Sequence, residues 1–113
     1  MIIVDTNFLV YAVKYKLADE LRKEHICIPL QVLKELAQLA KKDSNAKIAL
    51  QIAKKFEKKK VKAKDADSAI IKLAGKEKGK GNIVATMDSE IKKKLKNLCK
   101  VMVIRGKKKI VIL

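Results

Sequence analysis

Short apolar runs alternate with segments of helical periodicity along most of the chain, and this alternation limits the folds available to it. The runs at 2–4, 26–28 and 83–85 have the length and composition of strands buried on both faces. The segments between them place apolar residues three and four positions apart, which predicts amphipathic helices. Strands that alternate with helices form mainly parallel sheets covered on both faces. The sequence therefore predicts one α/β domain over residues 1–113, a three-layer α/β/α sandwich with a mainly parallel central sheet.

The predicted elements follow one another without a repeat or a linker. Further strands are predicted at 101–104 and 110–112, and helices directly after 5–7 and at 30–42, 45–58, 66–78 and 88–98. In the helix at 45–58, Ile48, Ile52 and Phe56 are predicted to face the core. The segment GKEKGKG at 75–81 lacks the spacing and the hydroxyl of a Walker A phosphate loop, so we predict a flexible basic loop there.

Positive charge is concentrated in the second half of the chain. The formal net charge is +16, and residues 54–113 carry 20 basic and 6 acidic groups, a net of +14. Such an excess suits a polyanionic partner, because each phosphate that a lysine neutralises releases counterions; a solvated lysine coat is the alternative. The lysines have neither arginines nor aromatic residues interleaved, which favours contacts to a nucleic-acid backbone over base reading.

Several classes of protein are excluded by simple counts. No apolar run approaches the ~20 residues that span a bilayer, and Asp5 interrupts the N-terminal run, so we expect a cytoplasmic protein. Cys27 and Cys99 are too few for a zinc cage or a CxxC pair. We expect them to be buried free thiols, with a disulfide between them as the alternative. His25 is the only histidine and is expected to be structural or solvent-facing, which leaves no basis for a Ser/His/Asp or Cys/His system.

Acidic residues stand where a surface acid is not expected. Asp5 directly follows the strand at 2–4, at the carboxyl end where open α/β sheets bind ligands, although a helix N-cap is the alternative. Asp67 has helical spacing to Ile70 and Ala74 and is predicted to share their buried stripe, since Asp65 is the better N-cap candidate.

Two further acids complete the set. Asp88 shares a helix face with Ile91 and Leu95, with an N-cap role as the alternative, and Glu35 lies at the edge of an apolar stripe. Carboxylates that crowd together repel one another, and burial raises their pKa values. A hard divalent cation relieves that repulsion, and Mg²⁺ or Mn²⁺ suits oxygen ligands better than zinc does.

Short motifs around these acids resemble the acidic signature of PIN-domain ribonucleases. They are IIVDTN at the N-terminus, VLKELAQL around Glu35, DADSAI around Asp67 and VATMDSEIKKKL around Asp88. The resemblance covers essentially the whole chain, in the same order. Residues 26–29 and VATMD are more similar to archaeal and eukaryotic PIN proteins of ribosomal-RNA processing, while VapC-type toxins share the same four acids.

The resemblance implies a metal-dependent endonuclease that cuts single-stranded RNA and leaves a 5′-phosphate and a 3′-hydroxyl. It implies that Asp5, Glu35, Asp67 and Asp88 bind one or two Mg²⁺ or Mn²⁺ ions. Asn7 would orient the first acid, and Thr6 and Thr86 would supply supporting hydroxyls.

The resemblance leaves other points open. Ser89 stands where relatives often have arginine, so Lys92 and Lys93 become the candidates for holding a phosphate. The implied partners are single-stranded RNA, with a ribosomal-RNA precursor, an antitoxin or a second copy of the chain as further candidates. A non-catalytic PIN-like RNA-binding module is the main alternative. A haloacid-dehalogenase-like phosphatase is disfavoured, because Asn7 occupies the position of its second aspartate.

Overall fold

A central six-stranded sheet organises the computed structural model, which describes residues 1–76 and 79–113. The strands are β1 (Ile2–Val4), β2 (Ile26–Pro29), β3 (Glu57–Lys59), β4 (Ile83–Ala85), β5 (Lys100–Arg105) and β6 (Lys109–Ile112). Their order is β3-β2-β1-β4-β5-β6; β1 to β5 run parallel, and β6 pairs antiparallel with β5. Every residue of β1 and β2 is buried. Because successive side chains point to opposite faces, both faces of the sheet are covered there.

Helices cover the two faces of this sheet. They are α1 (Thr6–Lys14), α2 (Leu30–Leu39), α3 (Ser44–Ala53), α4 (Ala66–Lys76) and α5 (Ser89–Leu95), with a 3₁₀ helix at Ala18–Leu21. The first three helices contact one another and α5 contacts α4, as right-handed crossovers to either side of β1 require. The predicted α/β/α sandwich with a mainly parallel sheet is confirmed. In the described part of the chain, no helix has the length and apolar character needed to cross a membrane.

The region predicted as one helix at 45–58 differs from that prediction. Helix α3 ends at Ala53, and residues 57–59 form β3, whose sequence Glu-Lys-Lys has no apolar pattern. This strand forms through backbone pairing with β2, and its lysines protect an exposed sheet edge. The prediction that Ile48 faces the core was also wrong, since its side chain is 52% exposed. The buried stripe of α3 consists of small residues that permit close packing against α1 and α2: Ala46, Ala49 and Ala53.

The remaining differences concern helix ends and cysteines. Helix α2 ends at Leu39 and α5 at Leu95, each three residues before the predicted end. Residues 77–78, which belong to the predicted helix at 66–78 and to the predicted loop at 75–81, lie outside the described residues. Cys27 is buried and Cys99 is half-buried, and no disulfide joins them.

The strand order places a crevice beside β1. From β1 the chain proceeds to β2 and β3 on one side, and it returns through α4 to β4 on the other. Connections that leave neighbouring strands in opposite directions open a crevice at their carboxyl ends, where α/β proteins bind ligands. Val4 is in register with Ala85, and the Asp5 N–H donates to the Ala85 carbonyl at 2.9 Å. The residues that follow β1 and β4 therefore meet at this point.

Candidate active site

Asp5 lies in the crevice at the carboxyl end of β1, with only 5% of its surface exposed. Its Oδ1 accepts a hydrogen bond from the Thr6 backbone N–H at 2.7 Å, so that Asp5 also caps α1. Its Oδ2 accepts from the Thr86 hydroxyl at 2.9 Å. Burial, together with the charges of Asp67 and Glu35, raises the pKa of Asp5 to about 6, although these two hydrogen bonds lower it. Asp5 therefore lies at the carboxyl end of a strand and also caps a helix, so the two roles that the sequence offered as alternatives are both present.

Thr86 connects Asp5 with the start of α5. It is fully buried directly after β4, and its hydroxyl donates to Asp5 while accepting from the Asp88 N–H at 3.1 Å. A single side chain therefore fixes the carboxyl ends of two neighbouring strands. The Thr6 hydroxyl is also fully buried, and within the described residues it makes no hydrogen bond.

Asp88 is the N-cap of α5. Its Oδ1 accepts from the backbone N–H groups of Glu90 at 2.8 Å and Ile91 at 3.2 Å. The side chain is half-buried. The capping role that the sequence left open is therefore present. Asp88 still lies beside Asp67, whose pKa it raises by charge repulsion.

Asp67 does not share the buried stripe of its helix, and that prediction was wrong. The stripe of α4 consists of Ala66, Ala69, Ile70, Leu73 and Ala74, and Asp67 is exposed beside it. Asp65 is the cap, as predicted, because its Oδ1 accepts from the Ser68 N–H at 2.8 Å. Partial desolvation raises the pKa of Asp67, and the charges of Asp88, Asp65 and Glu35 raise it further, while Lys94 opposes them.

Glu35 reaches the same region from α2, which packs against α4. Its side chain is exposed, and its charge raises the pKa values of both Asp5 and Asp67. Asp5, Glu35 and Asp67 therefore lie within electrostatic range of one another, and Asp88 lies within range of Asp67. Among the described residues, no group of three or more His, Cys, Asp or Glu side chains is close enough to hold a metal ion. The donor chemistry, carboxylates with a buried unpaired hydroxyl beside them, fits Mg²⁺ or Mn²⁺ and not zinc.

The remaining predicted residues lie around this cluster. Asn7 is exposed in the first turn of α1, and the hydrogen bonds that hold Asp5 come from Thr6 and Thr86. Lys92 is half-buried, and Lys93 is exposed and pairs with Glu90 at 3.7 Å.

The sequence did not single out Lys94, the third lysine of the run at 92–94. Its charge lowers the pKa values of Asp65 and Asp67, so it lies within electrostatic range of both acids. Three consecutive lysines offer no spacing that distinguishes one from another, so only the packing of α5 against α4 identifies it.

The chain is similar to known proteins over most of its length. Residues 2–109 match the family model described as a PIN like domain. Among solved structures, the chain is similar to the PIN domain endonuclease Utp24, with a TM-score of 0.80 and 27% sequence identity over 98% of this chain and 89% of that one. Among curated proteins, none matches the chain significantly.

Proposed function

Because the chain belongs to the PIN-like domain family, we propose that it is a Mg²⁺- or Mn²⁺-dependent endoribonuclease that hydrolyses phosphodiester bonds of single-stranded RNA. The family match and the similarity to the endonuclease Utp24 support nuclease activity in general. The observation that carries the finer proposal is the buried carboxylate of Asp5 in the crevice between β1 and β4, held by the Thr86 hydroxyl at 2.9 Å, with Asp67 and Glu35 near enough for their charges to raise its pKa.

The proposed metal ligands are Asp5, Glu35, Asp67 and Asp88. A divalent cation held by them supplies a Lewis acid that lowers the pKa of attacking water and offsets charge on the phosphate oxygens. Thr86 fixes the carboxylate of Asp5 and the start of α5, so it acts as a positioning residue. Thr6 and Asn7, at the start of α1, are proposed to support Asp5 from the same turn.

Basic residues are proposed to hold the RNA beside the acids. With a pKa of about 6, Asp5 is ionised at neutral pH, and its charge adds to those of its neighbours. Such a cluster repels a phosphate unless positive charge stands close to it. Lys94 lies within electrostatic range of Asp67 and is a candidate for this contact beside Lys92 and Lys93.

The arrangement favours a nuclease over a non-catalytic RNA-binding module. The net charge of +14 over residues 54–113 suits RNA binding in either case. Carboxylates that repel their neighbours around the crevice weaken RNA binding, however, so a module that only binds gains nothing from them. A ribosomal-RNA precursor or a toxin target is the proposed class of substrate. A neighbouring gene for a short antitoxin would favour the toxin role.

Cleavage of a labelled single-stranded RNA with Mg²⁺, Mn²⁺ or EDTA tests the proposal. We expect cleavage with either metal and none with EDTA or with Asp5→Asn. The matched control is Asp19→Asn, which changes an exposed aspartate paired with Arg22 at 3.2 Å and should cleave normally. Calorimetric titration with Mn²⁺ gives a second readout, in which Asp5→Asn should bind more weakly than the control. Full cleavage by Asp5→Asn would contradict the proposal.

A further inference from the structure

A pair of aromatic rings on α1 combines one exposed ring with one that packs against the core. Tyr11 and Tyr15 are four positions apart and stack with their ring centroids 5.9 Å apart and an interplanar angle of 9°. Tyr11 is 38% exposed, because Phe8, Leu9 and Ala12 form the buried face of the helix. Tyr15 is half-buried against the core, so the Tyr11 ring is the one that presents aromatic surface to solvent.

Two lysines from different elements lie over this pair. The Nζ of Lys14 is 5.7 Å from the ring centroid of Tyr15, and the Nζ of Lys107 is 6.0 Å from it. Lys107 belongs to the turn between β5 and β6, where it and Gly106 have φ angles of 59° and 58°. This left-handed conformation is unfavourable for lysine and ordinary for glycine. The turn holds a cationic side chain beside the rings at a position where glycine would be more stable.

A groove of about 450 Å³ lies beside the rings. It is lined by Tyr11, Tyr15, Met87, Ile104, Gly106 and Lys107. Met87 lies in the chain between Thr86 and Asp88, two residues of the candidate active site, so the groove is adjacent in the chain to that site. Along α1, Tyr11 is six residues from Asp5, or roughly 9 Å along the helix axis.

We propose that Tyr11 and Tyr15 form a base-stacking platform for single-stranded RNA, with Lys14 and Lys107 neutralising the adjoining phosphates. The RNA identity of this ligand rests on the proposed function. Aromatic rings bind the flat faces of bases, which a duplex conceals in its own stack and a single strand exposes. The sequence showed lysines without interleaved aromatic residues. The fold supplies the missing rings, because α1 packs against β5 next to the turn that carries Lys107.

Tyrosine fluorescence tests the platform directly. The chain has two tyrosines and no tryptophan, so all of its tyrosine emission comes from this site. With EDTA present to prevent cleavage, a short single-stranded RNA should quench the emission, and a duplex of the same sequence should quench it much less. Equal quenching by both would overturn the proposal, since purely electrostatic binding does not distinguish base faces.

A matched pair of variants provides the second test. Tyr11→Leu removes the exposed ring, and the affinity for single-stranded RNA, measured by anisotropy of a labelled strand, should fall about tenfold. Tyr11→Phe keeps the ring and should bind within about twofold of the unaltered protein. If Tyr11→Leu binds single strands as tightly as Tyr11→Phe does, the platform is refuted.

These readouts separate the platform from the nuclease. Both binding measurements are made without metal, so they stand whether or not the protein cleaves RNA. Normal cleavage together with unchanged binding by Tyr11→Leu would refute the platform alone. Quenching and ring-dependent binding in a protein that never cleaves RNA would refute the proposed nuclease alone.

Discussion

The pKa values of acids at the crevice and of acids elsewhere on the surface shift in opposite directions, although all of them belong to the same basic protein. Burial and neighbouring carboxylates raise the pKa values of Asp5 and Asp67. Glu57, at the edge strand β3, accepts from Lys59 at 2.7 Å and pairs with His25 at 2.8 Å, and these hydrogen bonds lower its pKa. The backbone N–H of Ser68 likewise lowers the pKa of Asp65. Each acid thus reflects its immediate surroundings.

The contrast shows that a net charge of +16 does not determine the electrostatics of the crevice. Exposed lysines are screened by water and salt within about 10 Å. A buried carboxylate instead responds to lost hydration and to the charges that share its pocket. Acids whose charged forms stay unfavourable in a strongly basic protein are therefore candidates for binding a cation. The other acids are stabilised by hydrogen bonds and ion pairs with their neighbours.

Neighbouring aspartates at the start of α4 give the sharpest test of this contrast. Asp67→Asn should lower the rate of RNA cleavage about 1000-fold, because it removes a proposed metal ligand. Asp65→Asn should leave the rate unchanged, since asparagine caps a helix nearly as well as aspartate does. Single-turnover cleavage measures both rates. Equal rates in the two variants would show that Asp67 belongs with the surface acids.

Asp5 should make the metal-free protein less stable as pH rises. Its folded-state pKa of about 6 lies above the ordinary aspartate value of 3.8, so folding favours the protonated form. The resulting cost is absent below about pH 4, grows through about pH 6 and is constant above that value. In EDTA at pH 7.5, Asp5→Asn should raise the free energy of unfolding by about 3 kcal/mol. Urea unfolding at pH 7.5 and pH 4 measures the difference, and a gain that is the same at both pH values would contradict this account.

Thr86→Val tests whether the crevice depends on one hydroxyl. The substitution keeps the shape of the side chain but removes the donor to Asp5 Oδ2 and the acceptor of the Asp88 N–H. We expect Mn²⁺ affinity to fall about tenfold, as for other residues that orient metal ligands. Titration calorimetry measures the affinity. Thr86→Ser retains the hydroxyl and should bind Mn²⁺ nearly normally, so a comparable loss in that variant would point to packing as the cause.

The smallest effect is expected at the sheet edge. Glu57→Gln removes the charge that pairs with Lys59 and His25, yet exposed ion pairs contribute little to stability. We expect the melting temperature and the cleavage rate to stay within measurement error of the unaltered protein. A clear loss of cleavage would show that this edge takes part in RNA binding and would weaken the contrast between the two groups of acids.

Elements with a strong local pattern could be predicted from the sequence. The apolar runs of β1 and β4, each followed by an acid within three residues, gave the sheet, its crevice and the positions of Asp5 and Asp88. The edge strand β3 could not be predicted, because its residues Glu-Lys-Lys are polar and only backbone pairing to β2 makes them a strand. The exposure of Ile48 could not be predicted either, since alanines form the packed stripe of α3.

Contacts between side chains of distant segments could not be predicted from the sequence either. The exposed position of Asp67 depends on which face of α4 packs on the sheet, and the spacing to Ile70 suggested the wrong face. Lys94 is distinguished from its two neighbours only by the packing of α5 against α4. Tyr11 and Lys107 lie far apart in the chain and meet only because α1 contacts β5.

The hydrogen bond between Thr86 and Asp5 joins residues 81 positions apart, and this separation has a consequence during translation. A nascent chain that has emerged up to residue 82 already carries Asp5, Glu35 and Asp67, but it has neither β4 nor Thr86 and Asp88. Strand β1 then pairs on one side only, and the pocket that raises the pKa of Asp5 has not closed. Under the proposed function, a ribosome making this protein is surrounded by RNA while the enzyme is still inert. The four acids of the proposed metal site are present together only after β4 and the segment that carries Thr86 and Asp88 have left the exit tunnel.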